Sequence, residues 1–402
     1  MNRLPTTWAY PETDATRDLR LDFMRGFVIP LLIVSHFDYF SLFMYIGWER
    51  IGVVSTAEAF VMLAGIVIGM VYGKKLKRDG FDACLSTLLS RSAQLYRVNV
   101  FIILVIGLLR YVPLLNTTAV TTFHDPYRNI DYPLYPPLTE GFFSMLSQAL
   151  LLRCGPHQFQ IIGLYVVLFA LVTPLVFLML EKKQTKLLLG ISWVLYWINF
   201  GTPEAQVATA EIRLTGAQFE YAFPLIVWQL IYIHGIVAGY YKQELLAFFN
   251  GTRGNRLVYA SIVLSLMFII FTLNHPVDEF AEWSKLSFIP SETFNNLYFN
   301  YFQKYKLGPG RLLNITVLLI SIYALLTRFW TPFNRAFGWF LIPLGQASLY
   351  VFFVHIFILL LVSNTPFPSY HNFWINTGIH IVVYALIWIM VTKQFLFRWI
   401  PR

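Results

Sequence analysis

Long uninterrupted apolar blocks limit what this chain can become. Residues 159–180, 257–273 and 341–362 approach or exceed the ~20 residues that a helix needs to cross a bilayer core. Lipid offers no partner to backbone N–H and C=O groups, so such blocks must bond internally, as helices or as a closed barrel. Barrel strands are short and alternate apolar with polar residues. These blocks are continuous and predict helices. Composition agrees: 57% of the 402 residues are hydrophobic and 13% are charged, roughly half the charged share of an ordinary soluble domain.

The sequence therefore reads as an all-α, polytopic integral membrane protein, one transmembrane domain over residues 1–402. Ten spans are expected, at 23–46, 54–73, 95–115, 159–180, 187–201, 221–242, 257–274, 311–328, 339–363 and 374–397. Segment 141–152 reads as interfacial or re-entrant. Basic residues follow every second span: Lys74, Lys75, Lys77 and Arg78, then Lys182, Lys183 and Lys186, then Lys242, Arg253 and Arg256, then Arg328 and Arg335, then Lys393 and Arg398. Arg17 and Arg20 precede the first span, and the intervening loops are close to neutral or slightly acidic. By the positive-inside rule both termini face the cytoplasm. The net charge of +9 then reports basic loops, with no need of a nucleic-acid partner. The first 22 residues are polar and mixed in charge, unlike a cleavable signal peptide. Cys84 and Cys154 fall on opposite sides of the membrane in this topology, so no disulfide is expected. Two outer loops, 116–158 and 275–310, exceed what a connector needs. Their aromatic and Asn content suits either stacking on sugar rings or a belt at the membrane interface.

An ionisable group within a span is costly and points to function. The first span holds Asp22, Arg25, His36 and Asp38. Arg25 and His36 are separated by about 1100° of helix rotation, within ~20° of three full turns, and by ~16 Å along the axis. They share one face. Asp22 is placed to pair with Arg25, whereas Asp38 points roughly the other way. A mid-membrane histidine serves as general base, proton relay or ligand, or bonds structurally to a neighbouring helix. Glu58, at the start of the second span, reads either as a group that orients a histidine or substrate or as an ordinary helix-end acid. Gly65 and Gly69 form a small-xxx-small pair for close helix packing. Arg91 and Arg97, with Tyr96 between them, read either as a basic site for a phosphorylated ligand or as part of the positive-inside signal. Trp228, Gln229, Arg311, Ser348 and His355 stand in later spans or at their edges, where each alone reads more readily as a packed polar residue than as a site. No Walker loop, paired cysteine ligands or His pair at i, i+4 is present, so no metal site is expected.

Leu21-Asp22-Phe23-Met24-Arg25-Gly26, with His36 eleven residues after the arginine, resembles the opening of the membrane-bound acyltransferase-3 superfamily. Further stretches resemble its OpgC branch, the succinyltransferases of osmoregulated periplasmic glucans: 58–65, 91–96, 223–230, 307–313 and 344–350, in order, within residues 17–363. One position departs. Gln160 stands where an acidic residue is expected, which touches the identity of the acceptor or acyl group.

The resemblance implies acyl transfer from a cytoplasmic acyl-CoA, succinyl-CoA or acetyl-CoA, to hydroxyls of a periplasmic glucan or related polysaccharide, in a bacterial inner membrane. Acyl-CoA would be a co-substrate, with no tightly bound cofactor. In that reading Arg25, Arg91, Arg97 and Tyr96 hold the donor, and His36, assisted by Glu58 and Arg25, carries the chemistry. Trp228, Gln229, Arg311, Ser348 and His355 belong to the acceptor side. The rival readings are a transporter or flippase for a glycan, and a non-catalytic receptor or assembly subunit. Transporters commonly show repeated halves with broken helices; no internal repeat is visible here.

Overall fold

The computed structural model describes residues 17–37, 39–47, 49–125, 130–200, 213–368 and 372–400. Asp38 lies outside them. The described residues are nearly all helical: α1 (Leu19–Phe37), α2 (Thr56–Asp79), α3 (Phe81–Leu109), α4 (Gly141–Leu150), α5 (His157–Glu181), α6 (Thr185–Phe200), α7 (Leu225–Tyr240), α8 (Thr252–Thr272), α9 (Ser291–Tyr301), α10 (Pro309–Arg328), α11 (Trp330–Gln346), α12 (Ser348–Ser363) and α13 (Phe373–Thr392). One antiparallel hairpin, β1 (Thr122–Asp125) with β2 (Ile130–Pro133), pairs Thr122 with Pro133 and Phe123 with Tyr132.

Among the described residues six helices are long and apolar enough to cross a bilayer: α2, α3, α5, α8, α10 and α13. The pair α11 and α12, separated by Ala347, makes up to seven. Helices stand at the other three expected spans too. There α1 carries Arg20, Asp22 and Arg25 in its first two turns, and α6 and α7 have 16 residues each. α8 shows how the molecule meets its solvent. Val263, Leu266, Met267 and Ile270 form one exposed apolar stripe, while Ser261 and Ser265 face inward. Ser265 and Ser321 of α10 share a hydrogen bond of 3.0 Å. Small polar residues inside and large apolar ones outside suit lipid and would be unfavourable in water.

The chain forms two compact units. The first comprises residues 1–70, 235–351 and 368–402. Within it α1 and α11 touch backbone to backbone. A Cβ on Gly26 would strike the Leu341 carbonyl, and one on Gly345 would strike the carbonyl of Asp22. α2 and α7 meet in the same way through Gly69, Gly235 and Gly239, the close approach that Gly65 and Gly69 predict. At the head of α1, Asp18 is buried. It accepts from Arg20 at 2.8 Å, from the Lys242 ammonium at 2.6 Å and from the Tyr323 hydroxyl at 2.7 Å. Burial opposes ionisation of Asp18, but Arg20 and Lys242 outweigh it and hold the carboxyl at about 2. These partners also explain why α1 begins at Leu19 rather than 23: charged residues that hydropathy assigns to a loop find ion-pair partners and join the helix.

The second unit comprises residues 71–234 and 352–367. Its α3 starts at Phe81, well before the expected 95, because hydropathy marks the apolar part of a helix and not its polar extension. α4 descends alongside α3. Met145 packs where a Cβ of Gly107 would sit, and the Tyr96 hydroxyl donates to the Leu150 carbonyl at 2.8 Å. The segment expected to be interfacial or re-entrant thus lies along a membrane-length helix. α3 also packs on α5, where the Ser92 hydroxyl donates to the Val166 carbonyl at 2.9 Å. Cys84 and Cys154 are separate buried thiols.

Candidate functional site

α1 holds Arg25 and His36 in one continuous helix, with Pro30 between them and His36 in the last turn. At 1.5 Å rise per residue they stand ~16 Å apart along it. Asp22 pairs with Arg25 across 3.8 Å, as the i, i+3 spacing predicts, and binds Arg17 more tightly. Arg17 takes both Asp22 oxygens at 2.6 Å. Arg25 also donates through Nη2 to the Ser348 hydroxyl at the start of α12. Two residues 323 positions apart in sequence, both expected at the site, are thereby brought together. Arg25 keeps partial exposure, and His36 is half-buried.

Glu58 and Arg311 meet as well. Arg311, at the first turn of α10, donates through Nη1 to Glu58 at 2.8 Å, and both side chains are fully buried. Arg311 also donates to Glu49, to the Tyr298 hydroxyl at 3.2 Å and to the Phe302 carbonyl. The Tyr298 hydroxyl donates onward to the other Glu49 oxygen at 2.9 Å. The second Glu58 oxygen accepts the Ser55 backbone N–H at 2.6 Å and the Ser55 hydroxyl. This is one half of a capping box, which Ser55-Thr56-Ala57-Glu58 spells in the sequence. Both Glu58 oxygens are therefore engaged, and the carboxylate fixes helix α2 to helix α10. Glu49, Tyr298 and Arg17 were not apparent from sequence. Their partners lie far along the chain, and no spacing rule links them. Beside this network His275 packs edge-on to Tyr298, with ring centroids 5.7 Å apart. Burial lowers its pKa, Glu49 partly restores it and Arg50 lowers it again.

The remaining expected residues belong to the second unit. Arg91 donates to Gln94 at 2.6 Å, Arg97 to the Ala93 carbonyl at 3.3 Å, and Tyr96 to Leu150 as described. Trp228 is fully buried and packs edge-to-face on Phe223 at 4.8 Å. Gln229 exchanges bonds with Ser192: its Oε1 accepts from the hydroxyl at 2.7 Å, and its Nε2 donates to the carbonyl at 2.9 Å. His355 is fully buried, edge-on to Phe352 at 5.8 Å. Among the described residues no group of three or more His, Cys, Asp or Glu is arranged to hold a metal ion.

The sequence model of the family described as OpgC protein matches residues 17–399, nearly the whole chain. The chain belongs to the OpgC family. The match runs from Arg17, the partner of Asp22, past the end of α13, so it takes in all of the second unit and nearly all of the first. No characterised protein matched the sequence in a separate comparison. Membership in the OpgC family points to a transferase of the glucan-succinylating kind, and the long apolar helices place it in a membrane.

Proposed function

We propose that this OpgC-family chain is an integral membrane O-acyltransferase. It moves an acyl group, expected to be succinyl, from cytoplasmic acyl-CoA to a hydroxyl of a periplasmic glucan. Ten spans with both termini in the cytoplasm, in a bacterial inner membrane, belong to the same proposal. The observation that carries the reading is the single helix α1, with a partly exposed guanidinium at Arg25 and an imidazole at His36 roughly three turns further on. A cation at one end suits the phosphates of CoA. The pantetheine arm follows the helix toward the imidazole.

At the imidazole, His36 accepts the proton of the acceptor hydroxyl as its oxygen attacks the thioester carbonyl. The C–S bond breaks, the ester forms, and the proton passes to the leaving CoA thiolate. Ser348 orients Arg25, and the Arg311–Glu58 pair fixes the start of α2; both act as positioning groups. Labelled succinyl-CoA and a neutral glucan in proteoliposomes test the proposal. His36→Ala should lower transfer at least ~100-fold, the usual range for loss of a general base. Full transfer by that variant removes the mechanism.

A further inference from the structure

A cleft in the second unit lies where α3, the start of α5 and the segment around Gln218 converge. Its polar lining is three neutral amides, Asn99, Gln160 and Gln218, and no charged residue lines it. Phe159 and Phe219 supply apolar walls. Asn99 is 2% exposed, and its Oδ1 has no hydrogen-bond partner among the described residues. The Gln218 side-chain amide donates to the Leu134 carbonyl at a long 3.5 Å. Two glycines keep the space open. At Gly155, with φ +141, a Cβ would come within 2.9 Å of Ile103, and at Gly163 within 3.2 Å of the Phe219 ring. Gly155 also holds a backbone conformation that side-chain-bearing residues rarely adopt. The cleft admits about one water-sized group.

We propose that Asn99, Gln160 and Gln218 form a socket for one neutral hydroxyl of the carbohydrate acceptor, an inference that rests on the acyltransferase reading for the identity of its ligand. A buried amide carbonyl left unpaired is costly, so Asn99 Oδ1 calls for a donor. A hydroxyl is both donor and acceptor. It gives its proton to Asn99 Oδ1 and accepts from a glutamine amide N–H. Phosphate or carboxylate would find no cation here, and an ammonium no anion. The buried Phe159 and Phe219 rings limit the socket to a single small group. Gln160 is central to this neutrality, because an acidic side chain at that place would add a charge to the cleft.

Saturation-transfer NMR on the full chain in nanodiscs, with neutral gluco-oligosaccharides of several linkages and no acyl donor, tests the socket. The wild type should bind at least one of them. Asn99→Ala and Gln160→Ala should each weaken that binding about tenfold, the equivalent of one lost hydrogen bond, while affinity for CoA stays unchanged. No binding by the wild type, or unchanged affinity in both variants, overturns the socket. Asn99→Leu that gains thermal stability while keeping oligosaccharide affinity identifies the cleft as the seat of a structural water and also overturns it. If oligosaccharide binding depends on Asn99 and Gln160 but succinyl-CoA never yields transfer, the acyltransferase reading fails and the socket stands.

Discussion

The Arg311 guanidinium donates to the Glu58 carboxylate across 2.8 Å, with neither side chain reaching solvent. Arg311 also neutralises Glu49, so its loss strands two carboxylates, whereas loss of Glu58 strands no uncompensated cation. Breaking a buried pair by removing one partner typically costs ~3–5 kcal/mol, and removing both often costs far less. Arg311→Met should therefore lower the unfolding temperature in detergent more than Glu58→Gln. The Glu58→Met, Arg311→Met double variant should fall short of the sum of its singles. Additive losses would show that the two side chains are not coupled.

The glycine contacts between α1 and α11 make a sharper contrast. A methyl at Gly345 collides with backbone, which cannot rotate away, whereas a methyl at Gly378 in α13 meets nothing within 4 Å. Gly345→Ala should abolish or sharply reduce the folded fraction by size-exclusion chromatography. Gly378→Ala should keep it and stabilise by about 0.5–1 kcal/mol, the helix-propensity gain of Ala over Gly. Equal behaviour of the two variants would refute the backbone contact.

Asp18 gives stability a pH dependence. Its pKa is depressed from 3.8 to about 2 in the folded chain. A depressed carboxyl contributes stability that is complete above the unfolded value near 3.8 and disappears as pH falls through about 2. The size is on the order of 2 kcal/mol. Thermal unfolding at pH 5 and at pH 2 should show a loss in the wild type that Asp18→Asn does not share. A matching loss in that variant would assign the acid sensitivity to other groups.

Ser348 accepts from Arg25 without being placed at the reacting atoms. On the acyltransferase reading, Ser348→Ala frees the guanidinium to wander and should raise KM for succinyl-CoA several-fold with little change in kcat. Arg25→Ala should raise it further, and Ser348→Thr should restore most of the wild-type value. A fall in kcat alone would mean that Ser348 acts on the chemistry and not on donor binding.

Much of this was legible in the sequence, for identifiable reasons. Apolar blocks announced the membrane helices, Gly65 and Gly69 announced a close helix approach, and Glu58 read in part as a helix-end acid, which its bond to the Ser55 N–H makes it. Boundaries were harder to read. The expected first span of 23–46 became α1 from Leu19 to Phe37, followed by a single 3-10 turn at Leu42–Tyr45. Arg20 and Asp22 extended its start through partners that hydropathy cannot see, and the chain adopts an extended conformation at Ser41, with φ −147 and ψ 172. The expected span 339–363 divides at Ala347. Local rules suggested Asp22 as the partner of Arg25, three residues away. That pair stands at 3.8 Å, but the shorter bonds from Arg17 to Asp22 and from Arg25 to Ser348 escape such rules, because Arg17 lies just outside the span and Ser348 most of the chain away. Of the amide cleft only Gln160 stood out in advance, as a departure from the resembled family; Asn99 and Gln218 carry no charge and obey no spacing.

The seam in which Gly26 meets Leu341 and Gly345 meets Asp22 has a mechanical consequence. Packed helices ordinarily accommodate motion by small sliding shifts of interleaved side chains. Here carbonyls abut bare Cα atoms, so there is no cushion to deform. The first turns of α1 and the length of α11 beside them therefore have no room to slide past one another and must travel as one beam.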